Sequence, residues 1–383
     1  MKKLLLILLL LSQSLFAREV SVMSYNVENL FDVTHDENKD DWEFLPKNVV
    51  GKNDFCAKAN SRRQREICLN SDWTETKLKN KIENIVSVVK GKEANLPDIL
   101  GLVEVENKNV ISMLAKELGY KDFEMTESPD KRGVDVALLY KESESFKKVS
   151  RAEHVVPIDY PTRNILEVRF NVNGKYFLTA FVNHWPSLQN PDATRVKAAE
   201  VLKTRVEEIL KANPNESIIA MGDFNTIDSN DPHPFKTVIY KNELLNDVHD
   251  SSLKSTETTE AFKKNTRSGT YYYPKGDQWN ILDHFFVNQN LLKNSEAKIL
   301  LGSYEIYSRP DMIHELKRYG DGDKDKDVKV VLAPKKFRPE EETKDKIGFS
   351  DHFPIYVKLD FKDVEVKVEK AAEKKVSKKQ KKK

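Results

Sequence analysis

The feature that most constrains this chain is a series of short apolar runs with only a few helical stretches between them. VSVMSYNV (20–27), DILGLVEV (98–105), VDVALLY (134–140), ILEVRF (165–170), YFLTAFVNHW (176–185), SIIAMGDF (217–224), LDHFFV (282–287) and FPIYVKLDF (353–361) each read as a strand of the buried type. Leu78, Ile82, Ile85 and Val89 recur at helical spacing, and residues 192–210 form a second amphipathic stretch. Helices this few cannot alternate regularly with so many strands in a barrel. The pattern predicts sheets packed on one another with helices outside, in one domain. With 383 residues, 39% hydrophobic and 9% aromatic, the chain can bury such a core, and a disordered protein is excluded.

The two ends differ from this body. MKKLLLILLLLSQSLFA (1–17) has two lysines, an apolar run from Leu4 to Leu11 and a small residue, Ala17, before Arg18. It reads as a secretory signal peptide, too short to span a bilayer, with no transmembrane segment left after its removal. Export to the periplasm or the exterior is expected. There Cys56 and Cys68, 12 residues apart, are expected to form a disulfide that closes a local loop away from the strand ends. The last ten residues, KKVSKKQKKK, carry seven lysines; without these and Lys2 and Lys3 the net charge of +2 becomes −7. The body is therefore acidic, and residues 362–383 form a basic tail. That tail is either a salt-sensitive hold on polyanions or a solvated end with no partner. Residues 32–72 and 303–347 read as irregular insertions in a domain of residues 18–361. YGDGDKDKD (319–327) echoes a calcium loop, but it lacks the glycine at the sixth position and the glutamate at the twelfth.

Polar residues gather where the apolar runs stop. Asn26 and Glu28 follow the first run, Glu104 and Glu106 end the second, and His184 ends the fifth. Asp223 and Asn225 end SIIAMGDFN, Asp283 opens LDHFFV, and Asp351 and His352 precede the last run. One such residue is a cap or a turn. Six strand ends carrying only carboxylates, amides and imidazoles suit a hard divalent cation on oxygen ligands, with histidines that move protons or hold a phosphate.

The motifs MSYNVENLFD, DILGLVEVEN, VNHWPS, MGDFN, LDHFFVN and GFSDHFPI, in this order over residues 20–361, resemble those of the endonuclease/exonuclease/phosphatase superfamily, the deoxyribonuclease-I-like metal-dependent phosphoesterases. NVENLFD with GLVEVEN resembles a bacterial exported branch. The resemblance implies an α+β fold, a four-layer α/β/β/α sandwich of two facing mixed sheets with the site at one edge. It implies Mg2+, with Mn2+ or Ca2+ as alternatives, on Glu104, Asp351, Asn26 and Glu28. Glu28 stands where many relatives have aspartate, and Val103 where many have glutamine. By the same resemblance Asp223 orients or deprotonates the attacking water, and Asn225 holds a phosphate oxygen. His352 is the catalytic histidine with Asp283 as its orienting carboxylate, and His184 contacts the phosphate or the leaving oxygen with Asp135 as its partner.

Three functions compete: an exported nuclease acting on DNA or RNA, a phosphoesterase for a small or lipid phosphate ester, and a binding protein without catalysis. The full residue set disfavours the last. No exposed apolar hairpin of the lipid-active kind is evident in the sequence. Tyr271-Tyr272-Tyr273 with Trp279 could stack bases or pack a strand. Arg132, Arg163 and Arg195 are candidate phosphate contacts, or surface arginines without function. The lysine tail favours a nuclease, expected to act as a monomer.

Overall fold

The computed structural model describes residues 18–93, 95–319, 328–341 and 343–362. The signal segment, the lysine tail from residue 363 and residues 320–327 of the YGDGDKDKD run lie outside the described residues. Four strands come first: β1 (Arg18–Leu30), β2 (Ile99–Val105), β3 (Asp122–Met125) and β4 (Asp135–Tyr140). Five more follow in a second sheet: β5 (Phe146–His154), β6 (Ile165–Val172), β7 (Tyr176–His184), β8 (Ser217–Asp223) and β9 (Asn246–Asp247). A ribbon of β10 (Tyr271–Tyr273) and β11 (Gln278–Asn280) precedes β12 (Asp283–Val287), which returns to the second sheet. β13 (Ala297–Ile306) and β16 (Ile355–Phe361) complete the first, with a hairpin of β14 (Ile313–Tyr319) and β15 (Val328–Pro334) between them.

Both six-stranded sheets have one layout. Their orders are β13-β16-β1-β2-β4-β3 and β5-β6-β7-β8-β12-β9, each a central parallel pair flanked by antiparallel strands. A parallel pair requires a crossover. The helical stretches supply it: Glu75–Lys92 joins β1 to β2, and Asp192–Ala212 joins β7 to β8. Val182, Ile219, Met221 and Phe285 of the second sheet meet Val22, Leu100 and Leu102 of the first in one buried core. On the outer face of the second sheet, Ala198, Leu202 and Val206 of the 192–212 helix cover Phe181, Ile218 and Ala220. The result is the α/β/β/α sandwich, with sheet faces so close that a Cβ at Gly101 would lie 2.7 Å from Met221 Sδ.

The insertions are less irregular than their composition suggests. Residues 32–72 contain short helices at Lys52–Cys56 and Arg62–Asn70, joined by a Cys56–Cys68 disulfide. The segment 303–347 begins inside β13 and holds the β14–β15 hairpin, so the expected long loop is corrected to a built element.

Candidate active site

The carboxyl ends of the two parallel pairs meet at one edge of the sandwich. Asn26, where the regular pairing of β1 with β2 breaks, donates through Nδ2 to Glu104 Oε1 of β2 (3.2 Å) and to Asp223 Oδ2 of β8 (3.1 Å), so one amide ties the sheets together. Local backbone irregularity aims these groups. The β1 register breaks between Asn26 and Leu30 and that of β2 between Val103 and Val105, with Glu28, Asn29 and Glu104 at φ of 54°, 60° and 64°. Left-handed backbone at a non-glycine residue costs on the order of 1–3 kcal/mol. Side-chain bonds offset it here: Glu28 N–H donates to Asn26 Oδ1 (3.0 Å) and Asn29 N–H to Glu104 Oε2 (3.1 Å).

The second sheet contributes a row. His184 pairs in register with Asp223, and Asp223 with Asp283. Gly222, at φ 129°, precedes Asp223; a Cβ there would lie 1.9 Å from Asn183 O, so the approach of β8 to β7 requires glycine. Thr270 Oγ1 accepts from the Asp283 N–H (3.2 Å), and Thr270 O accepts from Phe353 N–H (2.8 Å), linking this row to the turn before β16. In that turn Ser350 Oγ donates to Asn26 O (2.7 Å) and accepts from His352 N–H (3.1 Å). A serine thus fastens the Asp351-His352 pair to β1.

The electrostatics separate the two histidines. His352 Nδ1 lies 2.7 Å from Asp283 Oδ2, and Nε2 lies 3.9 Å from Asp223 Oδ2. Burial alone would lower its pKa, but Asp283, Asp223 and Asp351 outweigh burial and hold it well above the usual range, as an imidazolium. His184 is pushed well below by burial, then by Arg163 and Arg132, and is neutral. Its Nε2 sits 3.8 Å from Glu104 Oε1 and 3.9 Å from Asp223 Oδ2, so the imidazole faces both carboxylates without a direct hydrogen bond to either. Burial also raises the Asp223 carboxyl, against the pull of His352, while Asn225 N–H donates to its Oδ1 (2.8 Å).

Glu28 and Asp351 face each other beside this group. Lys336 Nζ lies 2.8 Å from Glu28 Oε1 and 3.7 Å from Asp351 Oδ2. Beneath them Lys81 is fully buried, donates to Phe349 O (2.9 Å) and stands 4.3 Å from the Phe337 ring centroid. Among the described residues no three His, Cys, Asp or Glu side chains already surround a single point as a metal cage would. The donor chemistry nevertheless fits a hard divalent cation: the carboxylates of Glu28, Glu104 and Asp351 gather here, Lys336 Nζ already supplies a positive charge between two of them, and burial with Asp351 nearby raises the Glu28 carboxyl, a cost that a cation would relieve.

The family model of the endonuclease/exonuclease/phosphatase family matches residues 21–361. The chain belongs to this family. Members are hydrolases of phosphoester bonds and are in general dependent on divalent metal. No curated protein matches the chain in sequence. Its fold is similar to that of an endonuclease/exonuclease/phosphatase family protein from Bacteroides thetaiotaomicron (15% identity, 90% of this chain and 99% of that one, TM-score 0.50). It is also similar to the human Nocturnin catalytic domain with bound sulfate (14%, 89% and 94%, 0.51). A third likeness is to D. rerio TDP2 complexed with single strand DNA product (14%, 89% and 98%, 0.50).

Within this family site the sequence expectations fare unevenly. Asn26, Glu28, Glu104, His184, Asp223, Asn225, Asp283, Asp351 and His352 are brought together as the motifs suggest. Asp135 is not the partner of His184: its Oδ1 accepts from Thr126 Oγ1 and from Ser128 N–H (2.9 Å), and His184 Nδ1 is buried without a hydrogen bond. Arg163 is no open phosphate contact. It is buried, with one nitrogen donating to Trp185 O (2.6 Å) and another 3.4 Å from Asp130 Oδ2, so it supports the residue after His184. Asn225 Nδ2 donates to the same carbonyl (3.2 Å). Arg195 is a fully buried arginine bonded to Ser187 O (2.9 Å), not a surface one, whereas Arg132 is exposed. Tyr272 packs inward on Trp279, while the Tyr271 ring lies 5.0 Å from that of His352. The sequence reading missed Lys81 and Lys336. Lys81 left a signal, a charge on the apolar stripe of Leu78, Ile82 and Ile85; Lys336, inside a polar insertion, left none.

Proposed function

We propose that the chain is an exported, divalent-metal-dependent phosphodiesterase, a nuclease that hydrolyses DNA or RNA phosphodiester bonds by in-line attack of water. The observation that carries this reading is the meeting of Glu104, Asp223, His184 and the Asp283–His352 pair at one edge. Glu104, with Asp351, Asn26 and Glu28, would hold a divalent cation, Mg2+ by the hardness of the ligands, which neutralises charge on the phosphate when bound. Asp223, raised by burial and fixed by Asn26 and Asn225, suits the proton of the attacking water. His352, oriented through Nδ1 by Asp283, presents Nε2–H to a phosphoryl oxygen. Neutral His184 faces the same space and suits the leaving oxygen, and Asn225 lies beside it for a phosphate oxygen.

A single-strand DNA product in the structurally similar D. rerio TDP2, together with the lysine tail, supports nucleic acid as substrate. One observation favours a second reading, a lipid or small phosphate ester. The β14–β15 hairpin stands beside the site with Val330 and Leu332 outward and exposed, contrary to the expectation of no such hairpin. Purified mature protein incubated with single-stranded DNA, RNA, short-chain phospholipids and phosphomonoesters, with and without Mg2+, separates the two. We expect Mg2+-dependent cleavage of the nucleic acids. Turnover of monoesters or phospholipids alone would sink the nuclease reading.

A further inference from the structure

A cavity of about 680 Å³ opens between the β10–β11 ribbon and the β14–β15 hairpin, and Asp351 and Tyr271 belong to its wall. It therefore adjoins the candidate active site, since Tyr271 pairs through its backbone with His352 and Asp351 precedes it. Its volume lies within the roughly 300–1,000 Å³ typical of sites for small ligands. Its lining combines two chemistries, an apolar and aromatic surface that includes Tyr271, Ile313 and Leu316 and a cationic one of Lys336, Arg338 and Lys346, with Glu341 among them. Arg338 and Lys346 are exposed, and among the described residues no ion pair engages either. The cationic surface is also structurally held. Gly348, at φ 80°, lies so close to the hairpin's exit that a Cβ would sit 2.1 Å from Lys336 O, and Arg338 N–H donates to Ile347 O (2.6 Å).

A ligand complementary to both surfaces has a flat ring and an anionic group, and it must reach the scissile phosphate at Asp351. We propose that the cavity is the subsite for the nucleotide adjoining the scissile bond of a single strand. Its base lies against Tyr271 and the apolar surface, and its far phosphate is held by Arg338 and Lys346. A single strand fits this cleft better than a duplex, because only an unstacked base can lay its face against Tyr271. The inference rests on the nuclease reading above and deepens it.

The test is binding of a fluorescently labelled single-stranded DNA pentamer, in chelator so that no hydrolysis intervenes. The full chain is compared with the Arg338→Glu/Lys346→Glu double variant. If charge reversal impairs folding, Arg338→Gln/Lys346→Gln replaces it. We expect Kd to rise at least tenfold, and the slope of log affinity against log salt to shrink by about 0.7 for each lost phosphate contact. An unchanged Kd and slope, or a wild-type chain that does not bind the pentamer, overturns the subsite. A wild-type chain that binds through these residues yet cleaves no strand with Mg2+ overturns the nuclease reading and leaves the subsite standing. Cleavage with no change in binding does the reverse.

Discussion

Asp283 and His352 illustrate how single residues set the chemistry. The carboxylate 2.7 Å from Nδ1 fixes the ring's orientation and keeps the imidazole charged, while the neutral His184 across the site lacks any such partner. Two histidines of opposite charge state can thus donate to different oxygens of one phosphate. His352→Ala and Asp223→Asn are each expected to lower kcat by roughly 10²–10⁴ with little change in KM, since both groups act in the transition state. A variant that changes KM alone would contradict the role given to it. A second prediction concerns Glu106. Burial raises its carboxyl to about 9, with Asp32, Asp36 and Asp41 adding to the rise and the Asp32 N–H bond (2.8 Å) opposing it. In the unfolded chain the group titrates near 4.3. Between these values the folded protein holds the extra proton, so stability falls as pH rises. Glu106→Gln removes that titration and is expected to stabilise the protein by on the order of 1–3 kcal/mol at pH 8 and by little at pH 4. Denaturant curves with the same difference at both pH values would contradict this origin.

Elements differ in how plainly the sequence announces them. All eight runs singled out as strands are strands, because most of their residues are buried in the sandwich and so stay apolar, with Arg169, Lys358 and Asp360 at partly exposed positions. The site was legible for the same reason: a polar residue ending such a run has no role in the core. β5, FKKVSRAEH, was missed because it is an edge strand whose lysines face solvent. The β14–β15 hairpin was missed because it packs only Val331, Ala333 and their neighbours, on Tyr272, and otherwise carries the charge of a loop. Lys81 and Lys336 come from a helix face and an insertion, where no strand end points to them. The 32–72 insertion corrects another expectation, that it lies apart from the strand ends. Phe44 and Ile67, with Glu28 and Lys336, line a cavity of about 550 Å³. Trp73, just beyond the insertion, donates to Phe31 O (3.0 Å). The insertion is braced by the disulfide and by Lys52, buried and donating to Ser71 O (3.0 Å). Cys56→Ser/Cys68→Ser is expected to lower unfolding free energy by roughly 2–3 kcal/mol, as closure of a short loop implies. No candidate catalytic side chain comes from this segment, so kcat should hold; an unchanged stability would contradict the bracing.

On the scale of the molecule, two halves of like layout each bring a parallel pair to one edge, and the site belongs to neither half alone. Within the site, Asn26 bonds groups from both sheets. The charge is divided too, with an acidic body and a lysine tail. If the tail holds polyanions, deletion of residues 374–383 should weaken binding of long duplex DNA and reduce its salt slope by about 0.9 for each engaged lysine. Hydrolysis of a small diester should be unaffected, and an unchanged slope would make the tail a bystander. The proposed metal-dependent phosphodiesterase centre at this edge is built on Glu104. Its most direct test is the rate of hydrolysis of bis-p-nitrophenyl phosphate by the wild-type chain and by Glu104→Gln, each in Mg2+ and in excess chelator, with circular dichroism to verify folding. Turnover is expected for the wild type in Mg2+ alone and none for the folded variant in either condition. Full wild-type turnover in chelator, or a fully active Glu104→Gln, would contradict such a centre.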